Sequence, residues 1–336
     1  MPAALVTGAT GLVGSHVVER LLHDGWRVRA LVRDPASAAW LQRRGVALAV
    51  GDTLNVSTLP AAVTGCDVVF HTAAAVTTDG GWEAFRRPNI DGTRNVMDAV
   101  AGAGARLVHV SSVAVYGSHA RYAPHGGKTS EETPLAPLGE RSCYARSKRE
   151  SEQLVLDAHA AGKLWATAVR PDVVYGERDR QFVPRIARML RFGVAPVISG
   201  GRSTLAVVHA ANVADGMVRA AMHDAAGGRA YNLANDYDVT VAEFFRLAGE
   251  GLGERVKILS VPVTAARAVM RVATLLAPAR LKSSMRQSVD FLTRDNPFTS
   301  ERARRELGWD PQVRPREGVT QAFRWYAESR RAGDVR

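Results

Sequence analysis

A chain of 336 residues with 46% hydrophobic residues can bury a large core in more than one lobe, and its formal charge of +11 would suit a polyanionic partner. That charge is nearly all arginine, with only five lysines, and it is scattered over predicted helices without a basic tail or an aromatic-interleaved strip, so specific nucleic-acid binding is excluded as the expected role. Cys66 and Cys143 form no C-x-x-C pair, no run of about twenty apolar residues is present to span a bilayer, and Met1 runs straight into the first strand, so a cytoplasmic protein is expected.

Ala3 to Val6 is an apolar run typical of parallel strands buried on both faces, and it stops at Thr7-Gly8. Gly8, Gly11 and Gly14 follow at three-residue spacing. Such spacing meets three demands: a tight turn that tolerates positive φ, close backbone approach to a diphosphate, and close packing of helix on strand. Val13, Val17, Val18, Leu21 and Leu22 then recur at helical spacing, so a helix N-terminus presents free N–H groups to a phosphate. Thr7, Gly8, Thr10, Gly11, Leu12, Val13 and Gly14 are thus the expected dinucleotide turn.

Val28 to Val32 predicts a second strand, ending at Arg33-Asp34-Pro35. An acidic residue here would bind the ribose hydroxyls of NAD, and an arginine would attract a 2′-phosphate; Arg33 points to NADP(H), with Asp34 and NAD(H) as the alternative. Ala47 to Val50 leads into Gly51, Asp52 and Thr53, where Asp52 either accepts from an adenine amino group or caps a helix. Val68 to Phe70 is the fourth strand, followed by His71 and then Thr72, Ala73 and Ala74, small residues where the chain passes close under a cofactor. A helix over about 85–101 carries Asn89, either a bridge to the neighbouring strand or an ordinary helix-start residue.

Leu107 to Val110 is the fifth strand, opening into Ser111-Ser112; residues 117–141 have the profile of a long loop over a site, and a helix over 142–161 carries Tyr144 and Lys148. Trp165 to Val169 is the sixth strand, closed by Arg170 and Pro171, which join Val173 in the expected cofactor set. Helices are expected over 183–192 and 212–222, a short strand over 205–208, and a strand over 230–233 that returns to the main sheet. The expected division is a dinucleotide-binding domain over 1–173 and 206–236 and a substrate lobe over 174–205 and 237–336. The fold class is α/β, a doubly wound parallel Rossmann sheet with a smaller mixed C-terminal lobe.

Ser112, Tyr144 and Lys148 are the expected catalytic residues, because they lie at the end of strand five and on the helix after it. Residues i and i+4 share a helix face, so the lysine ammonium can lower the phenol's pKa while bonding a ribose hydroxyl. Ser112 would donate to the substrate oxygen and Tyr144 would pass the proton as hydride moves to or from nicotinamide. His71, His109 and His209 are read as packed histidines without a clustered carboxylate, and no metal is proposed.

The segments TGATGLVG (7–14), GD (51–52), HTAA (71–74), N-x-x-G-T (89–93), SSVAVYG (111–117), YARSK (144–148) and RPDVVYG (170–176) together resemble the extended short-chain dehydrogenases/reductases. The resemblance implies a Ser112-Tyr144-Lys148 triad, cofactor contacts at the glycine turn, Arg33, Asp52 and Lys148, and a homodimer built from the helices near 86–101 and 142–161. Nucleotide-sugar branches such as the UDP-galactose 4-epimerases usually carry Arg-Asp where this chain has Leu205 and Ala206. Pro262 to Leu281 and TRDNPFTSERARRELGWDP are similar instead to the 3β-hydroxysteroid dehydrogenase, 2-alkyl-3-oxoalkanoate reductase and dihydroflavonol reductase-like branch, which implies a small apolar carbonyl or alcohol substrate. The apolar stripe within 262–281 reads as a core helix, a lid, or a weak membrane-surface helix.

Overall fold

The computed structural model describes residues 1–77, 80–117, 127–234, 237–262, 264–266 and 295–332. The apolar stripe expected within 262–281 therefore lies outside the described residues beyond its first few positions, as do residues 118–126 of the long loop.

Each apolar run of the first two-thirds of the chain forms a strand of one parallel sheet: β1 (Ala3–Thr7), β2 (Arg27–Val32), β3 (Ala47–Val50), β4 (Val68–His71), β5 (Arg106–Val110), β6 (Ala166–Pro171) and β10 (Ala230–Leu233), in the order β10-β6-β5-β4-β1-β2-β3. Burial on both faces explains why these runs are mostly apolar at consecutive positions, with polar residues such as His71, His109, Arg170 and Asn232 in their second halves. Val6, Phe70 and Val108 face one side, against α1 (Leu12–His23) and α8 (Ala210–Met222), whereas Leu5, Val69 and Leu107 face the other, against α3 (Leu59–Val63), α5 (Gly92–Ala103) and α6 (Cys143–Ala160). Each fully buried Val, Leu or Phe here contributes roughly 1.5–3 kcal/mol. Strand order reverses between β1 and β4, and that reversal opens a crevice at the carboxyl ends of the strands.

The short helices α2 (Ala39–Gln42) and α4 (Gly81–Arg86) complete the first half. Between α4 and α5 the helix widens into a π-turn over Arg87–Asp91. Pro88 lies inside it and can donate no N–H, the usual cause of such a break in the ladder.

The second lobe has its own core. β7 (Val173–Tyr175) pairs with β9 (Val207–His209), and β8 (Val194–Ile198) pairs with β11 (Lys257–Val261), both parallel. The expected strand over 205–208 is thus found at Val207–His209, outside the main sheet. Around these strands α7 (Phe182–Leu190), α9 (Val241–Leu252) and α11 (Pro315–Arg331) bury Val183, Leu190, Phe244, Phe245, Phe323 and Tyr326. The helix α10 (Glu301–Leu307) instead joins the sheet-side core through Ala303, Leu307 and Trp309.

The outer edge of β10 is closed by side chains rather than by another strand. Asn232 N donates to Glu131 Oε1 at 2.7 Å, Ala234 N to Ser300 Oγ at 2.9 Å, and Arg302 Nη1 to the Ala230 carbonyl at 3.2 Å. Edges covered in this way resist pairing with foreign strands.

Candidate active site

The glycine turn is shaped by exclusion. Gly8 has φ +69°, and a Cβ on Gly14 would stand 2.2 Å from the Gly8 carbonyl oxygen, so α1 begins closer to β1 than any side chain permits. Gly11 caps α1 without a side-chain hydrogen bond, leaving the first N–H groups of the helix, those of Leu12 and Val13, without a capping side chain, with Thr10 beside them half-buried. Thr7 departs from its expected place in the cofactor set. Its hydroxyl is wholly buried, 2.7 Å from His71 Nδ1 and 3.3 Å from Ala73 N, and it ties β1 to the chain leaving β4. Thr72 adds a second tie through Oγ1 to the Thr7 carbonyl at 2.7 Å, which presses Thr72, Ala73 and Ala74 against the turn.

At the end of β2, the Arg33 side chain is 84% exposed, with Nε 4.0 Å from Asp52 Oδ2. Asp34 is engaged locally, accepting from Ala36 N at 3.0 Å and Ser37 N at 3.3 Å. Asp52 Oδ1 accepts from Leu54 N at 2.8 Å in a local turn and caps no helix, since the next helical turn starts from Asn55, while Thr53 is buried behind Gly92.

The buried face of α6 is largely polar. Ser147, Lys148, Ser151 and Glu152 turn inward at helical spacing. Asn89, 1% exposed in the π-turn, exchanges hydrogen bonds with the backbone of Ala75 at 2.7 and 2.9 Å and donates to Ser147 Oγ at 2.9 Å. It bridges its helix to the chain beyond β4 and to α6 rather than to a strand, and it is not a helix-start residue. Lys148 Nζ donates to the Val110 carbonyl at 2.8 Å, and burial lowers its pKa to about 8. His71 and His109 pack 5.5 Å apart beneath it, and burial, reinforced by the Lys148 ammonium, pushes His71 down to about 3 and His109 well below its usual range.

Tyr144 sits one turn before Lys148, half-buried, with Phe85 edge-on at 6.2 Å. Ser112 caps the turn after β5 and hydrogen-bonds the Tyr144 phenol. The electrostatics differ from the expectation of a lysine-lowered phenol: burial raises the Tyr144 pKa, and only the Ser112 hydrogen bond offsets it. The Tyr144 hydroxyl is therefore protonated at neutral pH.

Arg170 also departs from the cofactor set. Its Nε and Nη2 donate to Glu152 at 2.9 and 2.6 Å and its Nη1 donates to the Tyr116 hydroxyl at 2.8 Å, so the guanidinium turns into the fold. The Tyr116 hydroxyl in turn donates a hydrogen bond to Asn232 Oδ1 at 2.8 Å, and burial raises its pKa to about 12. Pro171 ends β6 beside Leu233, and Val173 opens β7, half-buried. Between them Asp172 was not foreseen. Its Oδ2, like Ser111 Oγ at the end of β5, is buried without a hydrogen-bond partner, and burial pushes its carboxyl well above the usual range. Orphaned polar atoms at two strand ends beside a glycine cradle fit a site built around a nucleotide cofactor.

The reading of His209 as isolated needs correction. His16 Nε2 lies 3.1 Å and His209 Nε2 3.5 Å from Glu177 Oε2, a convergence of three remote positions that no local pattern announces. This is the one described group with the donors and spacing of a metal site. The backbone argues against that use: Ala211 N donates to His209 Nδ1 at 3.2 Å, so the ring proton sits on Nε2 and leaves no lone pair for a cation. Burial pushes Glu177 up, but hydrogen bonds from His16 and His209 outweigh it and hold the carboxyl well below its usual range. With Arg178, which donates to Ser15 Oγ at 2.9 Å, the group bolts the lead-in of the second lobe onto α1.

A model of the NAD dependent epimerase/dehydratase family matches residues 4–234. The chain is 32% identical over 321 residues, 94% of its length and 93% of the relative's, to a 4-hydroxy-2-methyl-3-oxo-4-farnesyl-3,4-dihydroquinoline-1-oxide ketoreductase of Stigmatella aurantiaca. It is 29% identical over 344 residues to a 3 beta-hydroxysteroid dehydrogenase/Delta 5-->4-isomerase of Mycobacterium tuberculosis, covering 96% of this chain and 90% of that one. Among solved structures, MoeE5 in complex with UDP-glucose and NAD is similar with a TM-score of 0.72 at 25% identity, over 97% of this chain and 99% of that one.

Proposed function

Since the chain belongs to the NAD dependent epimerase/dehydratase family and is an NAD(P)-dependent oxidoreductase, we propose that it interconverts a secondary alcohol and a ketone on a largely apolar substrate, with NADP(H) as cofactor. One observation carries the choice of substrate. Leu205 and Ala206, where nucleotide-sugar enzymes would need a charged clamp, are 2% and 9% exposed, and Ala206 packs with Val113, Val115, Tyr116, Ala234 and Phe298. Neither position supplies a charged side chain, so a diphosphate there would be left with two charges unpaired. The ketoreductase and steroid-dehydrogenase relatives support the same substrate class.

The cofactor, when bound, supplies the hydride that adds to the carbonyl carbon. The glycine turn and the first N–H groups of α1 hold its diphosphate, Lys148 bonds its ribose, and Arg33 reads the 2′-phosphate. Ser112 orients the carbonyl oxygen, and Tyr144 delivers the proton to that oxygen as it becomes the alcohol. A nucleotide-sugar epimerase is the second reading, favoured by the likeness to MoeE5 with its UDP-glucose. NADPH absorbance over a panel of β-keto acids, sterols, dihydroflavonols and UDP-sugars separates them. Net oxidation of NADPH with an apolar ketone is expected; epimerised sugar without net NADPH consumption overturns the proposal.

Cofactor choice has its own test. Removing the charge-assisted contact in Arg33→Ala should weaken NADPH binding by about one to two decades while NADH binding stays within about twofold. Arg33→Asp should invert the preference, because a carboxylate repels the phosphate and accepts from ribose hydroxyls. Dissociation constants for both cofactors on the three proteins decide it; equal weakening of both by Arg33→Ala removes the NADP assignment.

A further inference from the structure

Parallel sheets are normally covered on both faces, and the two-stranded sheet of the second lobe is covered on only one. Ala195 and Val197 of β8 point into the lobe core, at 0% and 2% exposure. The register sets Val194 opposite Lys257 and Pro196 opposite Leu259, so these four side chains share the other face. Among the described residues nothing covers that face. Leu259 is 50% and Val194 37% exposed on it, and Phe192, two residues before β8, is 76% exposed at its end.

The surroundings are basic. Arg191 lies with its guanidinium 4.5 Å over the Phe192 ring, Gly193 receives a hydrogen bond from Lys257 N at 2.8 Å, and Arg255 is exposed at the same end. Glu254 is the one acidic neighbour in this stretch, so three cations face one anion. A protein partner would call for an apolar centre with few charges and paired polar groups at the rim. An exposed apolar face with cations grouped at one end is the pattern of a surface that enters the headgroup layer of an anionic membrane. No described helix is long and apolar enough to cross a membrane, so contact would be from one side.

We propose that the outer face of the β8–β11 sheet docks on an anionic lipid surface, the Phe192 ring and Leu259 entering the headgroup boundary while Arg191, Arg255 and Lys257 pair with lipid phosphates. The inference stands on this face alone and does not depend on the substrate. Full-length protein is sedimented with vesicles of phosphatidylglycerol and phosphatidylcholine and with pure phosphatidylcholine vesicles. Wild type is expected to bind the first and not the second, and to be released at high salt. The apolar variant Phe192→Glu with Leu259→Glu should lose at least tenfold in partition, and Arg191→Glu with Lys257→Glu should lose about fivefold or more for each charge removed. NADPH affinity and melting temperature should remain those of wild type in both variants. Unchanged partition in both variants, or no binding by wild type, overturns the proposal. A variant that is monomeric where wild type is dimeric also overturns it and assigns the face to a second copy. A large fall in melting temperature overturns it as well, by showing that the face is covered within the chain.

Discussion

Tyr144→Phe is expected to lower the rate of ketone reduction by about two to four decades, the usual contribution of a positioned proton donor, with NADPH affinity within about twofold of wild type. The expectation follows from where the proton resides. Burial raises the phenol's pKa and Ser112 only partly offsets it, so Tyr144 enters the reaction protonated. Reduction then needs no ionisation of the phenol beforehand, and the group whose loss matters as pH rises is Lys148, whose pKa burial lowers to about 8. Reduction by the wild type should be level below that value and decline above it as the ammonium is lost. Lys148→Arg keeps its charge and should move the decline upward, even if its geometry slows the reaction. Steady-state rates from pH 6 to 10 on the three proteins check both statements. A Tyr144→Phe protein with near-wild-type turnover would remove Tyr144 from the chemistry.

Glu152→Ala should cost about 3–5 kcal/mol of stability, read as a lowered urea midpoint, because it strands the Arg170 guanidinium inside the protein. The pair is deeply buried, with side chains 8% and 4% exposed for Arg170 and Glu152. Replacing both partners in Glu152→Leu with Arg170→Met should recover most of the loss, since a buried pair and an apolar pair of similar volume are close in energy. A fall no larger than that of a surface glutamate would mean that water reaches Arg170. The variant has a kinetic signature too. Glu152 supports the Lys148 ammonium from one turn away, so its removal should bring the alkaline decline in rate to lower pH.

The main sheet was legible because parallel strands buried on both faces are mostly apolar at consecutive positions, as in Ala3 to Val6 and Val68 to Phe70. The glycine turn was legible because its spacing answers steric demands that Gly14 and Gly8 still display. Arg170 was not. Its partner Glu152 stands on a different element, and only the packing of α6 on β6 shows that its guanidinium is turned inward. The His16, Glu177 and His209 group was hidden for the same reason, three residues far apart in the chain meeting across a lobe boundary. In the second lobe β8 is interrupted by Pro196 and β11 mixes Lys257 and Ser260 with apolar residues, so neither reads as a strand. α9 left a usable sign, since Thr240 caps it through Glu243 N and Phe244, Phe245 and Ala248 line its buried side.

The closure of β10 bears on the order in which the chain is made. Synthesis runs from the N-terminus, and a domain begins to fold before its last residues emerge. Glu131 precedes its partner Asn232 by 101 residues, so that carboxylate is already waiting when β10 leaves the ribosome. Ser300 and Arg302 arrive 66 and 72 residues after the strand positions they cover. During that interval the seventh strand has one guarded edge group and two open ones, and chains halted before residue 300 keep them open, which makes the last tenth of the sequence the part that separates a soluble nascent sheet from one that recruits its neighbours on the polysome.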